Sequence, residues 1–453
     1  MRVEINASLS LGEISKILGI KNPYRDETVL SAITTDTREV QENDLFIALK
    51  GETDSGEKYV NEAIAKGCYV LSSQRKDVLS VADTATALLK IAEHYKKKLC
   101  LKHTVAVTGS VGKSTTVKLL HKILSCEYKT HAPLGNFNNE IGVPLTVLAT
   151  PMDTEILIPE LGMNHESEIS RLSKCVHPDI AVITNIGTAH VGNLGSRESI
   201  ARAKLEILDG MSGGVVVLPK DEPLLAKVDG AVYVGRNTSL SPVSLDDMGD
   251  TYSLRTPRGV ISGITFFDKR EHLLRDLLFA ATVASIVGMK PDSLVNGIRA
   301  INEGDIRQRF IQLDDCTIFD DSYNASLESI VADLKYIKSF GGATGAFLGD
   351  VLELGKLSKE IHYTIGLEAA RLGIDHLYLY GDYATYTADG ARNGGMDTSR
   401  IYVNSDISSP GISIEQIKKN HLIGELILFK ASHRLRLDKI ADAYAADMKG
   451  LEK

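Results

Sequence analysis

The stretch Thr108-Gly109-Ser110-Val111-Gly112-Lys113-Ser114-Thr115 constrains this chain more than any other. Apolar Val105, Ala106 and Val107 precede it, and a helical pattern of Val117, Leu119, Leu120, Ile123 and Leu124 follows. The order is strand, glycine loop, helix. Such a loop turns backbone N–H groups inward around a phosphate, and the helix N-terminus adds partial positive charge. Lys113 can reach β- and γ-phosphates, and the Ser114 hydroxyl suits Mg²⁺. Val107 stands where the longer phosphate-loop pattern has its first glycine, so the match is to Gly-x-x-Gly-Lys-Ser/Thr. The competing reading is a glycine turn that merely caps a helix. Lys-Ser-Thr in the first turn behind an apolar strand weighs against it.

Around the loop, short apolar runs alternate with helical stretches. Ile156-Leu157-Ile158, Ile180-Ala181-Val182-Ile183 and Val215-Val216-Val217-Leu218 fit buried parallel strands. That alternation predicts an α/β chain with a doubly wound sheet whose ligands sit at the strands' carboxyl ends. With 453 residues and about 100–200 residues per domain, several domains are expected. The pattern divides the chain into three. Residues 1–83 read as a small α/β domain, 84–309 as the central phosphate-loop domain and 310–453 as a Rossmann-like domain. Within the second, the polar stretch from Asn237 to Lys269 reads as a β excursion.

A net charge of −8 argues against nucleic-acid binding, which needs a basic face. It leaves room for a phosphorylated small molecule. Five scattered cysteines without a C-x-x-C pair fit incidental thiols rather than a disulfide framework or zinc site. No leader peptide and no apolar run long enough to span a membrane is evident, so a cytoplasmic protein is expected, working as a monomer.

Several residues could carry chemistry. Glu160 ends a buried strand next to the loop, where a carboxylate suits Mg²⁺. His190 closes Thr184-Asn185-Ile186-Gly187-Thr188-Ala189-His190 on the same sheet edge. Lys204 lies four residues from both Ile200 and Leu208 on a helix, so it points with the apolar face. A lysine desolvated there tends to lose its charge, and a neutral amine can add carbon dioxide to become a carbamate. From the helical pattern alone, a lysine snorkelling to water is the stronger reading. Asn136, Asn138 and Asn139 form an amide-rich loop that could bind substrate or cap a turn. Asp321, Tyr323 and Asn324 follow a strand of the third domain, where ribose and base contacts or a helix cap are both open. Gly349 to Gly355 and Lys430-Ala431-Ser432-His433-Arg434 also follow strands and could be ordinary turns.

Taken in order, these motifs resemble the Mur ligase family, the ATP-dependent amide ligases of cell-wall precursor synthesis. The resemblance runs from Thr35-Asp36-Thr37-Arg38 through the phosphate loop and Asn136 to Pro144, then through Glu160-Leu161-Gly162-Met163 and Thr184 to His190. It continues through Ile200 to Ile207 and Asp321 to Ala325, as far as Gly349 to Gly355. It implies three domains, ATP and Mg²⁺ as cofactors, and an acyl-phosphate reaction. It implies a UDP-linked muramoyl tripeptide as acceptor and D-alanyl-D-alanine as incoming amine.

By this resemblance Lys113, His190 and the carbamylated Lys204 are catalytic. Ser114, Glu160, His190 and Lys204 hold the metal. ATP lies on Gly109 to Thr115, Asn139, His272, Asp276, Asp321 and an arginine that is Arg307 or Arg309. Thr35, Asp36, Thr37, Arg38, Lys50, Asn136, Asn138, Tyr323, Asn324, Lys430 and Ser432 bind the other substrates. The chain also departs from the family. His-Asn-x-x-Asn becomes His272-Leu273-Leu274-Arg275-Asp276, a usual proline is Leu327, and Lys-Gly-Ser-Arg becomes Lys430-Ala431-Ser432-His433. These changes leave open a ligase that couples another carboxylate and amine, or a nucleotide-binding regulator without turnover.

Overall fold

The computed structural model describes residues 1–51, 54–235, 243–249, 251–256, 259–266, 270–301 and 308–449. Three large sheets follow one another along the chain. The first has five strands, Arg2–Glu4, Ala32–Thr34, Leu45–Ile47, Tyr69–Ser72 and Leu79–Ser80, in that spatial order. The second is wholly parallel. Its order is Val232–Val234, Val215–Pro219, Ile180–Ile183, His103–Thr108, Ile156–Leu157, Thr130–His131. The third runs Arg309–Gln312, Cys316–Asp320, Glu425–Lys430, Thr344–Gly349, His376–Tyr380, Ile401–Asn404, with only its first strand antiparallel. Its first strand begins at Arg309, so this residue belongs with the third sheet. The β excursion is an antiparallel sheet of Ser244–Asp247, Tyr252–Thr256 and Gly259–Ile264.

The central strands of each large sheet are buried on both faces, so their alternating side chains enter two different apolar layers. In the second sheet Val105, Val107, Ile156, Ile158 and Val182 share one apolar cluster with Leu119 and Leu120 of the helix Lys113–Leu124 and Leu277 and Leu278 of the helix Glu271–Ile286. The intervening Ala106, Leu157, Ala181 and Ile183 face the helices Gly142–Leu148 and Glu168–Val176. Each fully buried Leu, Ile or Val contributes roughly 1.5–3 kcal/mol.

His103–Thr108 is the strand at which the sheet reverses its winding. The next strand in sequence lies at one edge, and Ile180–Ile183 lies on the opposite side. Open α/β sheets bind ligands in the crevice at such a reversal. That crevice is where the phosphate loop sits.

The helix Thr84–Lys96 ties the first sheet to the second. Its Tyr95 hydroxyl accepts the backbone N–H groups of Asn6 and Ala7 (3.1 and 3.0 Å). The third sheet docks elsewhere. Buried Arg270 lies over the rings of Phe319 and Tyr336, 5.1 and 4.6 Å from their centroids. Glu328, in the first turn of the helix Leu327–Ser339, accepts the Thr188 N–H (2.9 Å) and hydroxyl (3.1 Å). No helix among the described residues is long and apolar enough to cross a membrane.

Candidate active site

Gly109 and Gly112 allow the loop its shape. Gly109 has φ +151°, and a Cβ there would lie 1.9 Å from Thr184 Oγ1. Gly112, at φ +83°, caps the helix Lys113–Leu124, and a Cβ on it would fall 2.7 Å from Asp276 Oδ1. The loop's amides converge. Ser110 and Val111 N–H both donate to Asn185 Oδ1 (3.0 and 2.8 Å), while Gly187 N–H donates to Ser110 Oγ (2.9 Å). A carboxamide oxygen therefore stands where a concave loop would take an anion. A phosphate oxygen is the stronger acceptor. Lys113 Nζ bonds Gly109 O (2.9 Å), so its charge stays over its own loop. Ser114 lines the adjoining cleft.

Glu160 follows Pro159, whose carbonyl accepts the Val107 N–H (3.0 Å). This pairing holds the carboxylate beside the loop. Glu160 is 2% exposed and accepts one hydrogen bond from Asn138 Nδ2 (2.9 Å). Lys204 lies on the helix Arg197–Leu205, with Ile200, Ala201 and Ala203 as its buried companions. It is 2% exposed, and among the described residues no carboxylate pairs with it. Burial pushes its amine well below the usual lysine range, and the nearby Lys113 ammonium pushes it further down. His190 has a left-handed backbone, φ +64°, and its Nδ1 stands 2.5 Å from Glu353 Oε2. Glu160 supplies a buried carboxylate beside the phosphate loop, Lys204 a buried amine whose charged form is disfavoured, and His190 an imidazole. That donor set fits a divalent cation bound with phosphates.

A cleft of about 450 Å³ opens from the loop toward the third sheet, lined by Ser114, Lys118, Asn136, Glu160, Tyr323 and His433 among others. A second, of about 230 Å³, is lined by Arg309, Asp320, Ser322, Tyr323, His433 and Asp438. Tyr323 and His433 wall both, with ring centroids 5.1 Å apart. Arg309 donates to Asp320 and Asp442 (both 2.7 Å) at the second cleft. Arg307 lies outside the described residues.

Other residues are placed differently. Asn139 Oδ1 accepts the Ile141 and Gly142 N–H groups (3.1 and 2.9 Å) at the start of the helix Gly142–Leu148. Ser432 Oγ accepts the Leu352 N–H (2.9 Å). Lys430 is buried between Asp321 and Asp333, and burial of Asp321 raises its carboxyl to about 7. Asn324 is exposed, and His272 is half-buried on the helix Glu271–Ile286. Thr35, Asp36 and Thr37 follow the first-sheet strand Ala32–Thr34, Lys50 follows Leu45–Ile47, and Asp36 pairs with the exposed Arg38 (2.6 Å). These five residues line neither cleft. The sequence pattern does not mark Asn185, Asp333, Glu328, Glu353 or His433 individually as site residues. Only Asn185, Glu353 and His433 lay inside stretches whose position after a strand marked them.

Asp276 is buried against the loop helix, and desolvation raises its carboxyl to about 8. Near neutral pH it is a neutral acid with one O–H donor and free acceptor capacity, close to the inventory of an asparagine amide. The folded-state value lies above the ordinary 3.8, so the stability it contributes is complete below about pH 4 and lost as pH rises toward 8. Asp276→Asn is therefore expected to unfold later than the parent chain, with the advantage growing by up to about 1.4 kcal/mol per pH unit across that window. Denaturation curves at pH 5, 6.5 and 8 check it. An advantage that does not change with pH would contradict it.

Residues 29–103 match the model of the Mur ligase family catalytic domain, and residues 107–243 match that of the Mur ligase middle domain. A UDP-N-acetylmuramoyl-tripeptide–D-alanyl-D-alanine ligase of Bacillus subtilis is 35% identical, with 93% of this chain and 94% of that one covered. The chain belongs to the Mur ligase family. The crystal structure of an Acinetobacter baumannii MurF superposes with a TM-score of 0.87 at 26% identity, covering 98% of this chain and all of that one. A Thermotoga maritima MurF ligase, solved in complex with ADP, has the same fold, with a TM-score of 0.80 at 23% identity over 93% of this chain and 98% of that one. The three-sheet architecture is thus that of the Mur ligases, which use ATP and Mg²⁺.

Proposed function

We propose that this chain is an ATP-dependent peptide ligase that joins D-alanyl-D-alanine to a UDP-N-acetylmuramoyl tripeptide, releasing ADP and phosphate. The observation that carries the reading is likeness at 35% identity over nearly the whole chain to a ligase of that name. The cleft fits the chemistry, since phosphate-binding and cation-binding groups meet residues of the third sheet across it. The acceptor's carboxylate attacks the γ-phosphate to give an acyl phosphate. The incoming amine then attacks the acyl carbon, and phosphate leaves through a tetrahedral intermediate. Catalysis of this kind rests on positioning and charge neutralisation.

In this chain the loop amides and Lys113 hold the phosphates, while Ser114, Glu160, His190 and a carbamylated Lys204 hold the cation. Mg²⁺ supplies charge neutralisation of the phosphates when bound. Tyr323 and His433 face the nucleotide side of the third sheet, and the first sheet carries the UDP end of the acceptor. The reaction takes place in the cytoplasm on small-molecule substrates.

Phosphate release is expected only when ATP, Mg²⁺, the UDP-linked tripeptide and D-alanyl-D-alanine are all present. Release without the UDP-linked acceptor would defeat the cell-wall reading. A second reading, another amine in place of D-alanyl-D-alanine, has one observation in its favour. His433 stands in the cleft where the family motif has arginine. Ala431 gives it no support, because that side chain is buried against Gly349, away from the cleft. A panel of amines offered with one acceptor separates the two readings.

A further inference from the structure

The loop Thr184 to His190 is bonded at both ends. Near its start, Asn185 and Gly187 hold the phosphate loop through Ser110 and Val111. At its far end, two carboxylates of the third-sheet unit clasp it. Glu328 takes the backbone and hydroxyl of Thr188, 140 positions away in sequence. Glu353 reaches His190 Nδ1 with its side chain, while its carbonyl accepts the Gly192 N–H (3.0 Å). The main chains touch here. A Cβ on Gly192 would lie 2.5 Å from Gly355 N and 2.6 Å from Glu353 O. Glu353 itself is held in a left-handed conformation, φ +64°, which a non-glycine residue adopts only at a cost.

A histidine that ligates a metal through one ring nitrogen commonly has the other held by a carboxylate, which fixes tautomer and ring orientation. We propose that Glu353 is a positioning residue. Held from the third-sheet unit, its carboxylate stands against His190 Nδ1, fixes the ring and leaves Nε2 for the divalent cation, so the cation site is complete only when that unit is seated on the Thr184 to His190 loop. The inference rests on the reading of His190 as a cation ligand. It makes domain seating and metal binding one event. Neither residue's own sheet unit contains both halves of the pair.

The test is Mn²⁺ binding to the full chain with ADP, read from the free-ion electron paramagnetic resonance signal, so that turnover does not enter. Glu353→Ala is expected to weaken Mn²⁺ binding by about 10–100-fold. Glu353→Gln keeps an acceptor for Nδ1–H and is expected to stay within a few-fold of the parent chain. In a His190→Ala background, Glu353→Ala should add nothing further. Parent-like Mn²⁺ affinity in Glu353→Ala, with His190→Ala weakened, would overturn this proposal while leaving the reading of His190 intact. Unchanged affinity in His190→Ala would instead remove that reading. Glu353→Gln as weak as Glu353→Ala would overturn the orientation argument. The Glu353 side chain is half-exposed (51%), so its variants are expected to fold normally.

Discussion

Lys204→Met is expected to lower turnover by about 10²–10³ while leaving the chain as stable as before or more so. The stability half follows from burial. The parent amine is 2% exposed, with no carboxylate partner among the described residues and with Lys113 as a like-charged neighbour. An apolar side chain of similar volume removes that desolvation cost. A residue that harms stability yet sits by the phosphate loop is placed for function. Both causes favour the neutral amine over the ammonium, and the neutral amine is the form that adds carbon dioxide. The new N–C bond yields R–NH–COO⁻, and one proton goes to solvent. A carbamate would reverse what the site tolerates, because a position where positive charge is disfavoured beside Lys113 would hold an anion facing Lys113 and the cation. It also reaches farther from the helix than Asp or Glu would. Turnover of the parent chain should therefore fall when bicarbonate is stripped from the buffer and return when it is restored. Lys204→Ala should be partly rescued by short carboxylic acids that fill the vacated space. Near-normal turnover of either variant without bicarbonate would reduce Lys204 to a packed helix residue.

The second large effect is on stability. Lys430→Met is expected to destabilise the third-sheet unit by about 3–5 kcal/mol, because it leaves Asp321 and Asp333 buried without their cation. The Lys430 ammonium is 2.8 Å from Asp333 Oδ2 and also pairs with Asp321, and all three side chains are buried. The loss should depend on pH in one direction. With Lys430 present Asp321 is raised to about 7, and without that cation its carboxyl is pushed higher still. At pH 8 the parent therefore gains the ionised, paired Asp321 that the variant cannot hold at the same cost, whereas at pH 5 Asp321 carries a proton in both. The gap between variant and parent is therefore larger at pH 8 than at pH 5. Adding Asp321→Asn and Asp333→Asn should recover much of the loss. Circular dichroism suits the measurement, since the chain has no tryptophan. A loss below about 1 kcal/mol, or one independent of pH, would show that the triad contributes little. The same burial means that Lys430 meets the incoming amine only if the triad opens. His433, in the cleft itself, is the better-placed member of that motif.

Local pattern fixed much of this molecule. The glycine spacing and the apolar runs on either side placed strand, loop and helix at His103–Thr108 and Lys113–Leu124. The four-residue spacing from Ile200 put Lys204 on the apolar face of its helix, but that pattern alone favours a head snorkelling to water, and it is the fold that buries it. Within the polar stretch from Asn237 to Lys269, the described residues form an antiparallel sheet of Ser244–Asp247, Tyr252–Thr256 and Gly259–Ile264. These features depend on a period of two or of about 3.6 residues, which a short window of sequence carries.

Tertiary structure decided how distant segments meet. Asn185 faces the loop amides across 75 positions, Lys430 reaches Asp321 across 109, and Glu328 reaches Thr188 across 140. Asn139 could bind ligand or cap a helix on spacing alone, and only the folded chain shows its oxygen on the helix's first amides. The sequence by itself determined the phosphate loop, the alternation of strands and helices and the inward side of the Lys204 helix, because periodicity and turn chemistry are local. Only the tertiary structure decided that Glu353 meets His190 and that Lys430 is enclosed by two acids. Those contacts depend on how whole sheets dock, and no short stretch of either partner encodes the other.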